Sequence, residues 1–229
     1  MGINVVDKID EAVKIKHVLL SVSDKQGLDT LVPGLLAINP EIRFFSTGGT
    51  YAVLQEILGT EASTHLQQVS DYTGQPETQG GLVKTLDFKI YLGLLTETYN
   101  EAHQGDLTRT QAVAIDMVVV NLYPFKETIT QSDVTIEKAR GNIDIGGPCM
   151  IRASAKNFIR VASVVDPADY DQIIAEMQQG DGTVSLGRRF KLAQKAFAHT
   201  AVYDRTIADF LVSKTIDDVT KCYQLEKKE

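Results

Sequence analysis

Short apolar runs alternate along the chain with longer segments whose apolar residues recur at helical spacing. The run at residues 17–22 (HVLLSV) is short, apolar and β-branched, which predicts a buried strand. The runs at 42–46 (IRFFS) and 161–165 (VASVV) also read as strands. The run at 117–123 (MVVVNLY) is continuously apolar, as is typical of a parallel strand covered on both faces. These four runs are the predicted strands of one sheet.

The segments between these runs read as helices. The stretch SDKQGLDTLVPGLLAI follows the first run and begins with a Ser or Asp cap, and YAVLQEIL follows the second. Pro167 stands at a natural first-turn position for a helix that continues to Met177. Strands separated by helices predict an α/β fold with an open, doubly wound, mostly parallel sheet, whose ligands bind beyond the carboxyl ends of the strands.

The two ends of the chain are predicted to differ. Residues 1–16 are polar or mixed and are expected to form an irregular or helical lead-in to a core at 17–211. The last third is expected to add extra C-terminal helices, because FKLAQKAFAHTAVYDRTIADFL keeps its apolar residues on one stripe. No repeat or linker divides the sequence, so residues 1–229 are predicted to be a single domain.

Composition narrows the function. Acidic residues outnumber basic ones 30 to 23, and the net charge of −7 gives no general attraction to nucleic acid, so any phosphate site must be local. Cys149 and Cys222 lie far apart without metal-ligand spacing, and we expect neither a bound metal nor a disulfide framework. No apolar run approaches the length of a membrane helix and no signal sequence is evident, so a cytoplasmic protein without membrane contact is expected.

Two strand-to-helix turns combine hydroxyls, glycines and a lysine. Residues 23–27 (SDKQG) and 46–50 (STGGT) each stand where backbone N–H groups and the helix dipole favour an anion. Either turn alone is more simply explained by a helix cap and a glycine turn. Both together, at successive strand ends, favour a clamp on one phosphate, and neither matches the dinucleotide or Walker pattern.

Three further segments carry candidate chemistry. Lys84 precedes a strand-like apolar run, although a surface lysine with a snorkelling stem is the commoner case. Asn121 and Tyr123 alternate at the end of a predicted strand and so point to one side, while a core tyrosine is an equal alternative. In NIDIGGP followed by CMIRASAKN, Asp144 and Lys156 offer a proton acceptor and donor, or else a cap and a surface charge.

Nine segments, taken together and in order, resemble one known family. They are SVSDKQGL, STGGT, SDYTGQPET, VKTL, NLYPF, NIDIGGP, IRASAKN, VVDPADY and KAFAHTAVYD. The chain resembles the IMP cyclohydrolase domain of the bifunctional purine enzyme, AICAR transformylase/IMP cyclohydrolase, over residues 16–211. That family continues into a larger formyltransferase domain, so the chain looks like a free-standing cyclohydrolase.

The resemblance implies a fold like methylglyoxal synthase and a reaction in purine biosynthesis. The carboxamide nitrogen of 5-formamidoimidazole-4-carboxamide ribonucleotide (FAICAR) attacks its own formyl carbon, and loss of water gives inosine monophosphate (IMP). No cofactor is implied. A homodimer and a separate AICAR formyltransferase are the implied partners, besides substrate and product.

The resemblance also implies site residues. Seven match the family's phosphate and ribose contacts: Ser23, Asp24, Lys25, Thr47, Gly48, Gly49 and Thr50. Others match contacts on the base side: Lys84, Thr85, Val120, Asn121, Asp144 and Ile145, with Gly146 in the same turn. We expect Asp144 to take the proton of the attacking amide and Lys156 to donate to the departing oxygen, while Tyr123 and Lys84 polarise the formyl oxygen.

The sequence departs from the family in one stretch. Where the family has RVKTLHPKVHGGLL, this chain has an arginine replaced by Leu82 and two histidines replaced by Asp87 and Tyr91, and Gln75 replaces the usual phenylalanine after TG. Loss of a guanidinium removes charge-assisted bonding worth about 1.5–3 kcal/mol per contact. We therefore expect altered substrate binding near Leu82.

Two other functions remain open. The chain can be a non-catalytic purine-nucleotide-binding or partner-binding domain, which the altered stretch favours and the retained Lys84, Tyr123, Asp144 and Lys156 oppose. Methylglyoxal synthase shares the fold, but NIDIGGP and SAKN have no place in its chemistry. His199 is expected to be a packed or capping residue.

Overall fold

The computed structural model describes residues 5–75 and 84–226. Five parallel strands form a central sheet in the order β4-β3-β2-β5-β6, and two short antiparallel strands, β1 and β7, form a separate ribbon. The strands are β1 (Ala12–Lys14), β2 (His17–Val22), β3 (Arg43–Ser46), β4 (Leu66–Gln68), β5 (Met117–Asn121), β6 (Ala162–Val164) and β7 (Thr183–Ser185).

Helices connect and cover these strands. They are α1 (Leu28–Ile38), α2 (Gly48–Leu58), α3 (Ala62–His65), α4 (Val69–Thr73), α5 (Phe88–Leu95), α6 (Glu101–Thr110), α7 (Phe125–Ile129), α8 (Ile136–Gly141), α9 (Gly146–Lys156), α10 (Tyr170–Gln179), α11 (Leu186–Val212) and α12 (Ile216–Thr220). Two 3₁₀ turns, Gly59–Glu61 and Pro167–Asp169, precede α3 and α10. Among the described residues, no helix is long and apolar enough to cross a membrane.

Side chains of the central strands alternate between two cores. Val18 and Leu20 point to the face covered by α1, α2 and α10, whereas Leu19 points to the face covered by α5, α9 and α11. A strand turns successive side chains to opposite faces, so a strand covered on both sides must be apolar throughout. This explains the unbroken runs of β2 and β5.

The sheet changes direction at β2. From β2 the chain moves outward through β3 to β4, then returns to place β5 and β6 on the other side of β2. A crevice opens beyond the carboxyl ends of the strands where the order reverses. That crevice lies between the loops that follow β2 and β5. The predicted doubly wound parallel sheet and the four predicted strands are confirmed, as are the C-terminal helices.

The lead-in prediction was wrong in part. Residues 12–14 form β1, in which Val13 pairs with Val184 of β7. Arg189 is fully buried and donates from Nη2 to the Asp10 carbonyl (2.8 Å) and from Nη1 to the Val184 carbonyl (2.5 Å). The partner strand lies about 170 residues away in the sequence, so the local pattern of the lead-in carries no sign of it.

Two other local predictions were also wrong. The strand-like run after Thr85 is helix α5, because the Asp87 carboxylate caps it by accepting the Lys89 N–H at 2.7 Å, and Ile90 and Leu94 pack inward one turn apart. The STGGT turn is shorter than predicted, because α2 already begins at Gly48. A tight turn and the first turn of a helix share the same glycine-rich sequence signals.

Candidate functional site

A cavity of about 480 Å³ opens at the carboxyl end of the sheet. It lies at the crevice where the strand order reverses, between the loops that follow β2, β3 and β5 and the amino end of α9. Its walls are formed by Ser21, Val22, Ser23, Lys25, Thr47, Gly48, Gly49, Thr50, Lys84, Thr85, Leu86, Asn121, Tyr123, Gly141, Ile143, Asp144, Ile145, Gly146, Gly147 and Met150.

The first turn of α2 presents an open helix terminus to this cavity. Thr47 stands at the N-cap with an extended backbone, but its side chain caps no N–H group. A Cβ added at Gly49 would meet nothing within 4 Å, and Gly48 has a φ of +55° that favours glycine. Uncapped N–H groups at a helix amino end are a ready anion site. This end of the cavity is therefore suited to a phosphate.

Thr50 and Asn121 hold the surrounding loops in place. The buried Thr50 hydroxyl accepts from the Val22 N–H and donates to the Val22 carbonyl, both at 3.1 Å, which joins α2 to the end of β2. The Asn121 side-chain oxygen accepts the N–H groups of Ser23 (2.6 Å) and Asp24 (2.9 Å). Its amide nitrogen donates to the Asp24 carbonyl at 2.9 Å. Both side chains thus shape the cavity through the backbone.

Lys25 brings a positive charge to the same wall. Its amine donates to the carbonyls of Val22 and, at 3.2 Å, Ser23, and burial lowers its pKa while neighbouring Asp24 partly restores it. The Lys84 amine lies 3.4 Å from where a Cβ on Gly48 would stand, so a second amine reaches the amino end of α2. Two amines and a helix terminus therefore converge on one end of the cavity.

Asp144 occupies the opposite wall, just before α9. Its carboxylate accepts the Gly147 N–H at 2.9 Å, and burial raises its pKa, an effect countered by main-chain hydrogen bonds from Gly147 and Tyr123. A Cβ on Gly147 would lie 2.6 Å from the Asp144 carboxylate, and one on Gly146 would lie 2.8 Å from the Thr85 hydroxyl. The two glycines allow the amino end of α9 to approach these side chains.

Exposed apolar groups form the rim of the cavity. Tyr123 is 53% exposed and Ile145 is 57% exposed, and both line the cavity together with Leu86. Large apolar side chains left open at a cavity mouth provide a surface on which a planar ring can rest. Tyr123 and Asn121 reach the same cavity, as their alternation predicts.

Three of the predicted site residues stand elsewhere. Asp24 caps its own turn by accepting the Gln26 N–H at 2.9 Å and does not line the cavity. Val120 is 1% exposed, because its side chain points from β5 into the core below α9. Lys156 ends α9, about 15 Å along the axis from Gly146 at a rise of about 1.5 Å per residue, and its side chain is exposed. Lys156 is therefore not among the residues that line the cavity, since a helix carries its two ends apart.

The altered stretch is only partly described. Leu82 lies outside the described residues, so the expectation about substrate binding there stays a prediction. Asp87 serves as the cap of α5, and the Tyr91 hydroxyl is buried beside Cys149, where burial raises its pKa. Asp87 and Tyr91 do not line the cavity.

Several contributors to the site escaped sequence reasoning. Ser21, Ile143 and Met150 line the cavity from within predicted elements, and only the three-dimensional path of the chain selects them. Tyr203 on α11 lies behind the wall, where its hydroxyl oxygen accepts the Asp144 N–H at 2.8 Å. Its place in the KAFAHTAVYD segment was the one available signal.

Comparison with known families agrees with this geometry. A family profile described as "MGS-like domain" matches residues 30–149, and one described as "AICARFT/IMPCHase bienzyme" matches residues 154–229. The first match covers more than half of the chain, which therefore belongs to the MGS-like domain family. The fold that the resemblance implied is thereby confirmed.

Individual proteins are also similar to this chain. The chain is similar to the bifunctional purine biosynthesis protein PurH of Enterococcus faecalis, at 48% identity over 199 residues that make up 87% of this chain and 37% of the relative. PurH of Bacillus subtilis is 46% identical over the same shares. The chain thus spans a little over a third of the length of these relatives. A crystal structure of ForH superposes with a TM-score of 0.71 at 33% identity, covering 86% of this chain and 99% of that one.

Proposed function

We propose that this chain is an IMP cyclohydrolase that closes the ring of FAICAR to give IMP in purine biosynthesis. The observation that carries this proposal is the pairing, in one cavity, of a half-buried carboxylate at Asp144 with an amine at Lys84 and an open helix terminus at Gly48. The PurH relatives support the same assignment over 87% of the chain.

The cavity has the size and polarity that a mononucleotide needs. Its volume of about 480 Å³ falls in the range of about 300–1,000 Å³ typical of small-molecule sites. The phosphate sits on the first turn of α2 beside Lys25. The base then lies across the rim formed by Tyr123 and Ile145, within reach of Asp144.

Ring closure needs positioning and proton transfer but no cofactor. The carboxamide nitrogen attacks the formyl carbon of the same molecule, so a cavity that holds the two groups in contact removes much of the barrier. Asp144 accepts the amide proton, and Lys84 and Tyr123 stabilise negative charge on the formyl oxygen. The oxygen, once protonated, then leaves the carbinolamine as water together with the hydrogen of the former formamido nitrogen, and the C=N bond so formed completes the purine ring.

Burial suits Asp144 to this role. A carboxylate with a raised pKa is a stronger base than an ordinary aspartate, yet the main-chain hydrogen bonds from Gly147 and Tyr123 keep its ionised form accessible. Those bonds also fix the direction of the carboxylate. Asp144 is thus both a base and a group whose orientation is set.

Ultraviolet absorbance of the forming purine tests the proposal directly. Purified protein should accelerate cyclisation of FAICAR, and Asp144→Asn should lower the rate by about 10²–10⁴-fold while retaining affinity for IMP. The rival function, a purine-nucleotide-binding or partner-binding domain, predicts IMP binding with the spontaneous cyclisation rate unchanged. That result would establish the rival.

A homodimer is part of the proposal. Phe190 is 46% exposed and Phe197 is 39% exposed on the outer side of α11, and the Arg152 guanidinium of α9 stacks 5.7 Å from the Phe197 ring. Lys156 lies one turn beyond Arg152 on α9. A second copy seated on this face would cover the phenylalanines and meet Lys156, so we assign the proton-donor role of Lys156 to the cavity of a neighbouring copy.

The substrate defines a further partner. Its formyl group must be supplied by an AICAR formyltransferase, on the same polypeptide or on another, and we propose that the chain acts in the cytoplasm. The homodimer is tested by light scattering of the wild-type chain and of Phe197→Asp. The negative charge introduced at position 197 should dissociate the dimer.

A further inference from the structure

Tyr203 contacts the backbone of Asp144 from behind the cavity wall. It lies on α11, 59 residues further along the chain, and is 9% exposed. Its hydroxyl oxygen accepts the Asp144 N–H at 2.8 Å. The contact therefore joins α11 to the residue that faces the substrate.

This contact holds Asp144 at a second point. Asp144 precedes α9, so its N–H has no partner in the helix. The Gly147 N–H holds the carboxylate at one end of the residue, and the Tyr203 hydroxyl holds the peptide unit at the other. The carboxylate itself is held by the N–H groups of Gly147 and Tyr123, and the Tyr203 bond fixes the peptide unit from which that side chain extends.

The ring of Tyr203 is itself firmly seated. It packs edge-on against Phe125, with ring centroids 6.2 Å apart, and Phe125 in turn packs edge-on against Phe210 at 5.9 Å. Phe125 begins α7, two residues after Tyr123. The same aromatic cluster therefore supports both Asp144 and the segment that carries Tyr123.

We propose that Tyr203 is a positioning residue for ring closure, which acts by fixing the peptide unit of Asp144. This inference rests on the proposed function. Tyr203 does not line the cavity, so its effect reaches the substrate only through Asp144. A displacement of about 1 Å at a reacting group can lower a rate by about a hundredfold, and loss of one of two fixed points should lower it by about tenfold.

Tyr72 offers a matched control. It is also 9% exposed, and its hydroxyl oxygen likewise accepts a backbone N–H, that of Val113 at 2.9 Å, away from the cavity walls. Tyr72→Phe and Tyr203→Phe each remove one buried hydroxyl and one such hydrogen bond. A purely structural role predicts the same consequences for both variants.

The experiment compares the two variants in thermal unfolding and in steady-state cyclisation of FAICAR. We expect similar changes in Tm, but a fall of about tenfold in kcat for Tyr203→Phe alone, with KM changed by less than about twofold. The acid limb of its pH profile should move to higher pH, because a loosened Asp144 loses the main-chain hydrogen bonds that lower its pKa. Equal kcat values for the two variants would overturn the proposal.

Two further measurements separate this inference from the function on which it rests. In an Asp144→Asn background, Tyr203→Phe should cause no additional loss of kcat, and an additive loss would contradict action through Asp144. Hydrogen exchange of residues 142–147 should accelerate in Tyr203→Phe and not in Tyr72→Phe, whether or not the wild-type protein is active. Faster exchange with no wild-type cyclisation would refute the function alone, and unchanged exchange would refute the positioning role.

Discussion

Charged side chains have different surroundings at the amino edge of the sheet, where the five parallel strands begin, and at the carboxyl edge, where they end. At the amino edge, Asp116 accepts the N–H groups of Lys16 and His17 (2.9 Å each) and pairs with Arg160 at 2.8 Å. Arg160 also donates to the carbonyls of Gly93, Thr96 and Ile115. Every charge there has partners of good geometry.

At the carboxyl edge, Lys25 and Asp144 are only partly buried, and among the described residues neither forms an ion pair like that of Asp116 with Arg160. The Lys25 amine rests on two backbone carbonyls, and burial raises the pKa of Asp144 with only main-chain hydrogen bonds to oppose it. A partly desolvated charge without an ion-pair partner opposes folding, and Asp24 and the main-chain hydrogen bonds offset only part of this cost. The comparison teaches that the amino edge stabilises the fold, whereas the carboxyl edge gives up stability to keep groups available for a ligand.

The largest effect is expected from Asp144→Asn. Removing a general base should lower the cyclisation rate by about 10²–10⁴-fold. The same change should raise Tm at neutral pH, because the amide can still accept the Gly147 N–H and carries no charge to desolvate. Absorbance kinetics and calorimetry on one preparation measure both effects, and a lower Tm would contradict the comparison.

The direction of the Asp144 pKa shift predicts how the stabilisation by Asp144→Asn depends on pH. The folded-state pKa of Asp144 is raised above the ordinary value of 3.8, so its ionisation opposes folding at any pH above that value. The Tm advantage of Asp144→Asn should therefore be full near pH 7 and vanish as the pH falls towards 3.8. An advantage that grows on acidification would show the opposite linkage.

Arg160→Met tests the amino edge. It leaves the Asp116 carboxylate buried without its charge partner and should lower the free energy of unfolding by about 3–5 kcal/mol in urea titrations. Arg188→Met removes a similar contact, at 2.8 Å to Glu176, where both side chains are about a quarter exposed, and should have a much smaller effect. Equal losses would remove the distinction between buried and exposed pairs.

Lys25→Met tests the phosphate end of the cavity. Loss of one charged contact should weaken IMP binding by about 1.5–3 kcal/mol in isothermal titration, while affinity for inosine, which has no phosphate, should not change. Lys126→Met, on the exposed side of α7, is the matched control. Parallel losses of IMP and inosine binding would place Lys25 elsewhere in the site.

The smallest expected effect is that of Lys156→Met, which tests whether a neighbouring copy of the chain contributes to the site. Lys156 ends α9 close to the amino-edge network, and Lys156→Met should slow cyclisation by about tenfold if its amine serves another copy. An equal mixture of Lys156→Met and Asp144→Asn should then regain about a quarter of wild-type activity, since half of the random dimers hold one intact site of two. Failure of the mixture to regain activity would end that assignment.

Much of the fold could be predicted from local pattern. Strands β2 and β5 are predictable because their residues are apolar on both faces, a pattern that needs no information about distant partners. The predicted Ser or Asp cap of the first helix was wrong, because α1 begins at Leu28 after Gly27 in the left-handed region and has no side-chain cap. The ribbon of β1 and β7 could not be predicted from the sequence, because each strand is only three residues long and forms only by pairing with the other. Helix α5 escaped because its apolar residues are too closely spaced to distinguish a buried helix from a strand.

The site was predictable where its residues follow strand ends and not where they act across the fold. The turns that contain Lys25, Gly48 and Asp144 have residue types that predict a binding site from the sequence alone. Tyr203 and Asp144 are 59 residues apart in the sequence, and no pattern of residue spacing predicts their contact. Lys156 shows the converse, because a shared motif placed it with Asp144 although the helix between them keeps the two apart.

The ribbon of β1 and β7 has a consequence for how the chain is made. All five strands of the sheet have left the ribosome once residue 165 has emerged, but β1 has no partner until residues 183–185 follow. Arg189, which reaches back to the Asp10 carbonyl, arrives later still. Strand β1 must therefore wait unpaired until β7 is translated, so the ribbon can be completed only after all five strands of the sheet have been made.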